Sequence, residues 1–343
     1  MNSTVLQVFR RLAVAVIVSP NLEVLNKNRR SADLLARIVS VLVGGSLLFA
    51  MSGLFASIAI AGRSPHSISV QSYPVGPTPA SLAFDGANIW VADIFGETVT
   101  KLRASDGATL GTFGIGYQTW GVAFDGANVW VSKAFEVVKL RASDGVELGR
   151  FDVGANSRAV LFDGTNIWVA SDALWKLRPS DGTLLGIYGV GDYPQGLAFD
   201  GANIWVTNTG DGTVTKLRAS DGQVIFTVPA GPEPDGIVYD GRAIWVANEY
   251  FHTITKLRLE DGATLTTARV GIVPQQLGFD GRQIWVSNYS PDNLVARLHA
   301  SDGARQFTVA TGIDPEGFVF DGTSMWVANY GSGTVSKITP NQP

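Results

Sequence analysis

The chain has 343 residues, a formal net charge of −4 and no cysteine, which excludes a disulfide framework, a thiolate metal site and a thiol nucleophile. Residues 1–62 carry six basic and two acidic side chains, so the rest of the chain has a net charge of about −8. An acidic body without a basic stripe excludes nucleic acid as the expected partner, because phosphate backbones bind basic surfaces.

The first predicted element is a hydrophobic helix at residues 38–62, which follows a basic segment at residues 1–37. These 25 residues contain no charged side chain and are long enough to span a bilayer. Arg29, Arg30 and Arg37 precede them, so the positive-inside rule directs the following chain out of the cytoplasm. Ala59-Ile60-Ala61 is also a small-residue cleavage pattern. A membrane anchor, a cleaved signal peptide and a buried soluble helix therefore stay open. The first two predict an extracytoplasmic protein (periplasmic, at the cell surface or secreted) that contacts the membrane through residues 38–62 if uncleaved.

After this segment the phrase Phe-Asp-Gly-x-x-Ile-Trp-Val, or a close variant, occurs seven times. The repeats carry one tryptophan each, namely Trp90, Trp130, Trp168, Trp205, Trp245, Trp285 and Trp326. A period of about forty residues indicates a solenoid, a propeller or an array. The Ile-Trp-Val runs are apolar on both faces, so we expect these tryptophans to be buried between neighbouring sheets.

One repeat, residues 190–228, contains four short β-rich runs separated by tight turns at Asp200-Gly201 and Asp221-Gly222. Four antiparallel strands per forty residues match one propeller blade. The sequence therefore predicts an all-β, seven-bladed propeller of four-stranded antiparallel blades at residues 63–343. The last repeat lacks its fourth strand. Residues 67–75 resemble that strand, so we expect them to pair with residues 334–338 and close the ring.

The motif Trp-Val-Ala-Asn at 245–248 and 326–329, with Gly-Thr-Val-x-Lys-Leu or a variant after several copies, resembles repeat propellers of the YVTN and NHL-like types. It also resembles the related streptogramin (virginiamycin B) lyase-like group. The resemblance covers about 280 residues and implies the fold. Most such propellers imply only binding or scaffolding, because a fold hosts many functions.

Successive strands run up and down, so the connections segregate to two faces. The Asp-Gly-x-x and Ser-Asp-Gly turns, nearly identical between repeats, share one face, here called the turn face. The variable connections share the other, here called the loop face, where we expect ligands to bind. One position before the innermost strand of each blade should line the mouth of the central channel; it is occupied by Ala80, Trp120, Arg158, Gln195, Asp235, Gln275 and Glu316.

Two further positions per repeat belong to the loop face. The first lies two residues before the channel position and is occupied by Thr78, Gln118, Asn156, Tyr193, Glu233, Val273 and Asp314. The second ends the Trp-containing strand and is occupied by Asp93, Lys133, Ser171, Asn208, Asn248, Asn288 and Asn329. Short connections in blades two and three predict a groove flanked by Trp120, Lys133, Phe135, Arg158 and Trp175. From these sets the predicted ligand-binding residues are Trp120, Lys133, Arg158, Tyr193, Gln195, Asp235, Gln275, Glu316, Asn248, Asn288 and Asn329.

An enzymatic alternative rests on Glu233, Asp235, Asp314 and Glu316, whose carboxylates suit a divalent cation, Mg²⁺ or Ca²⁺. Nearby His252 is the candidate general base. The resemblance implies that lyase-like relatives use a histidine and Mg²⁺ on this kind of face to open an ester-closed cyclic peptide. The chain has three histidines and no recurring histidine–glutamate cluster.

The favoured prediction is a non-enzymatic, extracytoplasmic, monomeric propeller without a cofactor, which binds a protein, peptide or glycan through its loop face. The alternatives are a metal-dependent lyase or hydrolase of the streptogramin lyase type and a structural component of the cell envelope.

Overall fold

The computed structural model describes residues 68–340, which form 28 strands arranged as seven four-stranded antiparallel sheets. The predicted seven-bladed propeller is confirmed. The predicted N-terminal helix at 38–62 lies outside the described residues. Between residues 68 and 340, no helix is long and apolar enough to cross a membrane.

The first four blades follow one another in sequence. Blade one contains β2 (Pro79–Phe84), β3 (Asn88–Asp93), β4 (Thr98–Arg103) and β5 (Thr109–Gly114). Blade two contains β6 (Thr119–Phe124), β7 (Asn128–Lys133), β8 (Glu136–Arg141) and β9 (Glu147–Asp152). Blade three contains β10 (Val160–Phe162), β11 (Ile167–Ala170), β12 (Leu174–Leu177) and β13 (Leu184–Tyr188). Blade four contains β14 (Pro194–Phe199), β15 (Asn203–Asn208), β16 (Thr213–Arg218) and β17 (Val224–Pro229).

The remaining blades complete the ring. Blade five contains β18 (Pro234–Tyr239), β19 (Ala243–Asn248), β20 (Thr253–Arg258) and β21 (Thr264–Arg269). Blade six contains β22 (Pro274–Phe279), β23 (Gln283–Asn288), β24 (Leu294–His299) and β25 (Arg305–Ala310). Blade seven contains β26 (Pro315–Phe320), β27 (Met325–Asn329), β28 (Thr334–Pro340) and, as its outer strand, β1 (Ile68–Pro74).

Ring closure follows the predicted scheme. Strand β1 pairs antiparallel with β28 over seven residues, from Ile68 opposite Pro340 to Pro74 opposite Thr334. Tyr73 of β1 stacks on Trp326 of blade seven, with ring centroids 5.6 Å apart. The first described strand therefore replaces the fourth strand that the last repeat lacks, and blade seven is built from both ends of the described chain.

Each repeat tryptophan is fully buried, as its apolar flanks predict. Its indole N–H donates to the aspartate of the preceding Asp-Gly turn in all seven blades, over 2.7–2.9 Å. The other oxygen of that aspartate accepts backbone N–H groups inside the turn, as in Asp200 with Ala202 and Asn203. The Asp-Gly turn and the buried tryptophan are thus one hydrogen-bonded unit, because a buried indole N–H needs an acceptor.

A lysine in the third strand of six blades connects each blade to the next. Its ammonium lies 4.8–5.3 Å from the centroid of the tryptophan ring in its own blade. It also donates, over 2.6–2.7 Å, to a backbone carbonyl in the third-to-fourth-strand turn of the next blade. These lysines are Lys101, Lys139, Lys176, Lys216, Lys256 and Lys337. Lys337 reaches Ala104 of blade one and so completes the ring.

Blade six departs from this pattern for a topological reason. The next blade has no turn between its third and fourth strands, because β28 and β1 come from opposite ends of the described chain. The lysine position holds Arg297, which pairs with Asp280 of its own blade at 3.0 Å. Its guanidinium carbon lies 5.2 Å from the Trp285 ring. The substitution therefore falls at the one blade junction of the described ring where the carbonyl acceptors of that turn are missing.

Replacing one of these lysines tests their contribution. We expect Lys216→Met to lower the free energy of unfolding by about 2–4 kcal/mol, since it leaves the Leu259 carbonyl and the buried carboxylate of Asp200 without their cation. The measurement is urea denaturation of the full chain, followed by tryptophan fluorescence. Arg218→Met is the control, because Arg218 forms an exposed ion pair with Asp221 worth about 0–1 kcal/mol. Equal effects of the two substitutions would contradict the proposed role of the buried lysine.

Candidate functional site

A cavity of about 400 Å³ opens at the centre of the loop face. Its walls include one residue from each blade, and these are the seven residues predicted to line the channel mouth: Ala80, Trp120, Arg158, Gln195, Asp235, Gln275 and Glu316. The innermost strands surround the channel, so equivalent positions in the repeats meet there. The comparison of repeats within this chain thus identified the positions that come together.

The backbone of the innermost strands directs these side chains into the cavity. In blade five, for example, the pairing of β18 with β19 shifts between Pro234 and Ile237, which places Asp235 in an irregular segment outside the regular ladder. The same shift occurs in six of the seven blades. Such bulges re-aim a side chain next to a site. A glycine follows the channel position in four blades; a Cβ at Gly236 would lie 2.5 Å from the Gln275 carbonyl, so glycine permits this close approach of the strands.

Hydroxyl groups on the second strand hold some of these irregular segments. In blade four, Gly196 N–H donates to Thr207 Oγ1 over 2.8 Å, and that hydroxyl donates to the Asp235 carbonyl of the next blade over 2.7 Å. Ser132 forms the equivalent bridge from Gly121 to the Arg158 carbonyl. These hydroxyls fix the backbone that carries the channel residues, so they support the site without entering it.

Blades two to four supply hydrogen-bond donors to one side of the cavity, here called the donor wall and formed by Trp120, Arg158 and Gln195. The guanidinium of Arg158 lies over the Trp120 ring, with its central carbon 3.7 Å from the ring centroid. Burial lowers the pKa of Arg158, while the charges of Asp235 and Glu316 act in the opposite direction. Arginine nevertheless keeps its proton at any pH at which proteins fold. The donor wall therefore carries a fixed positive charge.

Blades five to seven supply carboxyl groups to the opposite side, here called the carboxyl wall and formed by Asp235, Glu249 and Glu316. Burial, and next the charge of Glu249, raises the pKa of Asp235 to about 7, although Gln276 donates to its carboxylate over 3.1 Å. Burial also raises the pKa of Glu316 to about 8, against a hydrogen bond from the Tyr289 hydroxyl. The pKa of Glu249 is raised by burial and by Glu233. Asp235 and Glu316 thus exchange protons near neutral pH.

Glu249, Gln276 and Tyr289 line the cavity but were not predicted as site residues. Glu249 and Tyr289 occupy the same position in their repeats, directly after the second strand, where other blades have Ile94, Ala134 or Thr209. A comparison of the seven repeats at this position would have shown that the residue type varies there. Burial raises the pKa of Tyr289 as well, so its hydroxyl stays protonated and acts as a donor to Glu316.

The predicted asparagines do not reach the cavity. Asn248, Asn288 and Asn329 are buried between strands, with at most 1% of their surface exposed. The side-chain amide of Asn248 donates to Thr255 over 2.8 Å, and that of Asn329 donates to Ser336 over 2.9 Å. Asn329 also accepts the N–H of Gly312. The asparagine that ends the second strand in these blades thus bonds to hydroxyl or backbone groups around it.

Lys133 and Tyr193 belong to the loop face but lie outside the cavity wall. Lys133 is 3.6 Å from Glu136. Tyr193 has 72% of its surface exposed and a left-handed backbone, with φ of 52°. Trp175, which was predicted to flank a groove over blades two and three, packs against the core and donates to Asp172. Other loop-face connections carry exposed aromatic side chains; they are Phe95, Tyr117, Phe135, Tyr193, Tyr250 and Phe251.

The residues proposed for metal binding and catalysis are dispersed. Asp235 and Glu316 line the cavity, whereas Glu233 and His252 line a second pocket that shares Glu249 with it. Asp314 accepts the Ser290 N–H. Across residues 68–340, no group of three or more histidine, aspartate or glutamate side chains is placed to hold a metal ion. Nδ1 of His252 accepts the N–H of Val273 over 3.0 Å, so the neutral ring carries its proton on Nε2. The lone pair that a general base needs is already engaged.

Comparisons with known proteins support the architecture. No protein-family model matches the sequence. No curated protein matches it either. Among solved structures, one titled "Streptogramin B lyase structure" superposes with a TM-score of 0.67 at 18% identity, covering 80% of this chain and 98% of that chain. The chain therefore has the streptogramin-lyase-like propeller fold, and identity this low shows the fold alone.

The raised pKa values predict how stability depends on pH. Asp235 and Glu316 keep their protons to about pH 7 and 8 in the folded protein, whereas in the unfolded chain such groups lose them near pH 4. Between these pH values the folded state therefore binds more protons than the unfolded state. Stability should therefore fall as pH rises from about 4 to about 8. We expect the double variant Asp235→Asn, Glu316→Gln to lose less stability over this range than the wild type does. Between pH 4.5 and pH 8, its free energy of unfolding should fall by on the order of 2 kcal/mol less. Denaturation at both pH values measures it.

The control for this experiment is Asp144→Asn, an exposed carboxylate of the turn face that pairs with Arg141. A double variant whose stability follows the wild-type pH dependence would contradict the assignment of these two carboxyl groups.

Proposed function

We propose that this protein is a binding propeller whose central cavity takes a small polar ligand, or a polar group of a peptide or glycan, without chemical conversion. The observation that carries the proposal is the cavity itself. Seven equivalent positions, one per blade, meet at its wall, and they differ in charge, size and hydrogen-bonding type while the turns of the turn face and the Trp-containing strands are nearly constant. Binding pockets of a few hundred Å³ with a few convergent polar groups have this character.

The exposed aromatic side chains of the loop face support a ligand that extends beyond the cavity. Tyr250 and Phe251 have 65% and 57% of their surfaces exposed. Aromatic residues are enriched at recognition surfaces, because they supply large contact areas at low entropic cost. A ligand seated in the cavity could therefore contact these rings with its protruding part, as a peptide or glycan would.

A thermal-shift screen of the full chain tests the proposal. The panel contains short peptides, oligosaccharides, Mg²⁺ and Ca²⁺, each with and without chelator. A ligand of the folded state at one hundred times its dissociation constant adds about 2.7 kcal/mol of stability. We expect a peptide or glycan to raise the melting temperature independently of metal, and Trp120→Ala with Arg158→Ala to abolish that shift. Arg141→Ala, on the turn face, is the matched control. A shift that survives in the Trp120 and Arg158 variant would place binding elsewhere.

A lyase or hydrolase is the second candidate. The similarity to a streptogramin B lyase structure favours it, and carboxyl groups with pKa values of about 7 and 8 are suited to proton transfer at neutral pH. The same screen separates the two candidates. Stabilisation that requires Mg²⁺ or Ca²⁺ and is lost with chelator, together with turnover of an ester-closed cyclic peptide, would replace the binding function with a catalytic one.

The proposed location is outside the cytoplasm. Its support is the sequence alone: an uncharged segment at 38–62 follows three arginines. Fusion of alkaline phosphatase to the C-terminus of the full chain tests it, because that enzyme is active only after export. An inactive fusion that is expressed and soluble would overturn the extracytoplasmic placement.

A further inference from the structure

We propose that the cavity recognises a carboxylate through Arg158, so that its ligand is a small organic acid such as a free α-carboxylate or a uronate. This inference rests on the binding function proposed above and names the chemistry of its ligand. Within the described part of the chain, Arg158 is the one cationic residue that lines the cavity.

Arg158 differs from the carboxyl groups opposite in its hydrogen bonding. Asp235 accepts from Gln276, Glu316 from Tyr289 and Glu249 from Gln275. The guanidinium of Arg158 forms no hydrogen bond and no ion pair with another residue of the range 68–340, and its five N–H groups are available. A partly buried guanidinium in this state favours an anionic partner from outside the chain, since charge-assisted hydrogen bonds are the strong ones.

The stacking on Trp120 selects the kind of anion. The contact with the indole, 3.7 Å from the guanidinium carbon to the ring centroid, restrains the guanidinium, and the N–H groups at its edge donate to no residue of the range 68–340. Two parallel N–H groups at that edge match the two oxygens of a carboxylate. The Gln195 side chain is the next residue of the same wall and adds an amide donor. The volume of about 400 Å³ accommodates a small acid together with part of the molecule that carries it.

The opposite wall does not exclude an anion at or below neutral pH. The groups that face the cavity with Arg158 are Asp235, Glu249, Glu316 and the Tyr289 hydroxyl. Burial keeps protons on the carboxyl groups to higher pH than usual, and in that form they donate hydrogen bonds to hydroxyl or carbonyl oxygens. As the pH rises through their pKa values of about 7 and 8, Asp235 and Glu316 become anionic and repel the ligand. Affinity for a carboxylate should therefore fall between pH 6 and pH 9.

Paired probes test the inference. The full chain is titrated calorimetrically at pH 6 with N-acetylalanine against N-acetylalaninamide, and with galacturonic acid against galactose. Each pair differs at the carboxylate, and the pairs separate a peptide-like acid from a sugar acid. We expect the acid of at least one pair to bind 10-fold or more tightly than its neutral counterpart, as one charged hydrogen-bonded pair gives about 10- to 100-fold. The preference should decrease at pH 9.

Substitutions of Arg158 test whether this residue causes the preference for the acid over its neutral counterpart. Arg158→Met should reduce it to within about 2-fold of unity, whereas Arg141→Met, on the turn face, should leave it unchanged. If Arg158→Met does not fold, Arg158→Lys replaces it, since lysine keeps the charge but loses the bidentate edge and should lose most of the preference.

The outcomes separate this inference from the function on which it rests. A preference that persists in the Arg158 variants overturns the inference, and so does the absence of any preference in both pairs. If neutral probes bind as well as acids and Gln195→Ala weakens both, the cavity is a binding site for another ligand class. If no probe in this experiment and no ligand in the wider thermal screen binds, the proposed function fails as well.

Discussion

The contact on which the propeller depends is the lysine that joins one blade to the next. A cation is buried between two sheets, where isolation from water would cost several kcal/mol. Each lysine avoids that cost by lying over the tryptophan of its own blade and donating to a turn carbonyl of its neighbour, as Lys176 does with Trp168 and Ala219. The aspartate of the Asp-Gly turn holds the same indole through its N–H. Turn, ring and cation therefore form a single unit that repeats around the ring and leaves the loop face free to vary.

The residues that join the blades and the residues that line the channel are different sets, which explains where the repeats vary in sequence. The turn aspartate, the tryptophan and the lysine of this unit are each held by several contacts, so six of the seven blades have lysine at the cationic position. Blade six has Arg297, which pairs with Asp280 of its own blade. Residues at the channel, such as Gln195 and Asp235, lie outside the regular ladder of their sheet. Ala80, Trp120 and Glu316 can therefore occupy equivalent positions without disturbing the blades. The side chains on the two sides of the cavity can differ in charge because the contacts that stabilise the blades lie between the sheets and not at the cavity wall.

The sequence was sufficient to predict the fold, because the repeat carries its turns, its buried strand and its period together. The closure by β1 was predictable from the missing strand in the last repeat. The cavity positions were predictable from the comparison of repeats, since seven equivalent residues must meet at the axis. The role of Asn248 was not, because a polar residue at a strand end looks the same whether it binds a ligand or a neighbour. Its partners, Thr253 and Thr255, were visible five and seven residues on, but their orientation depends on the register of β19 with β20.

The separation of charge across the cavity depends on Trp120. Asp235 and Glu316 both attract Arg158 electrostatically, and a guanidinium on a flexible chain would swing toward them and neutralise the site. Stacking on the indole holds it against blades two and three, with an attraction of about 2 kcal/mol in a desolvated setting. Burial acts in the same direction, since carboxyl groups that retain their protons attract the arginine less. The hydrogen bonds from Gln276 and Tyr289 then fix the carboxyl groups in place. The stacking on Trp120, the burial of the carboxyl groups and their hydrogen bonds together keep the guanidinium and the carboxyl wall apart. Without these effects, Arg158 and the carboxyl groups would form an ion pair.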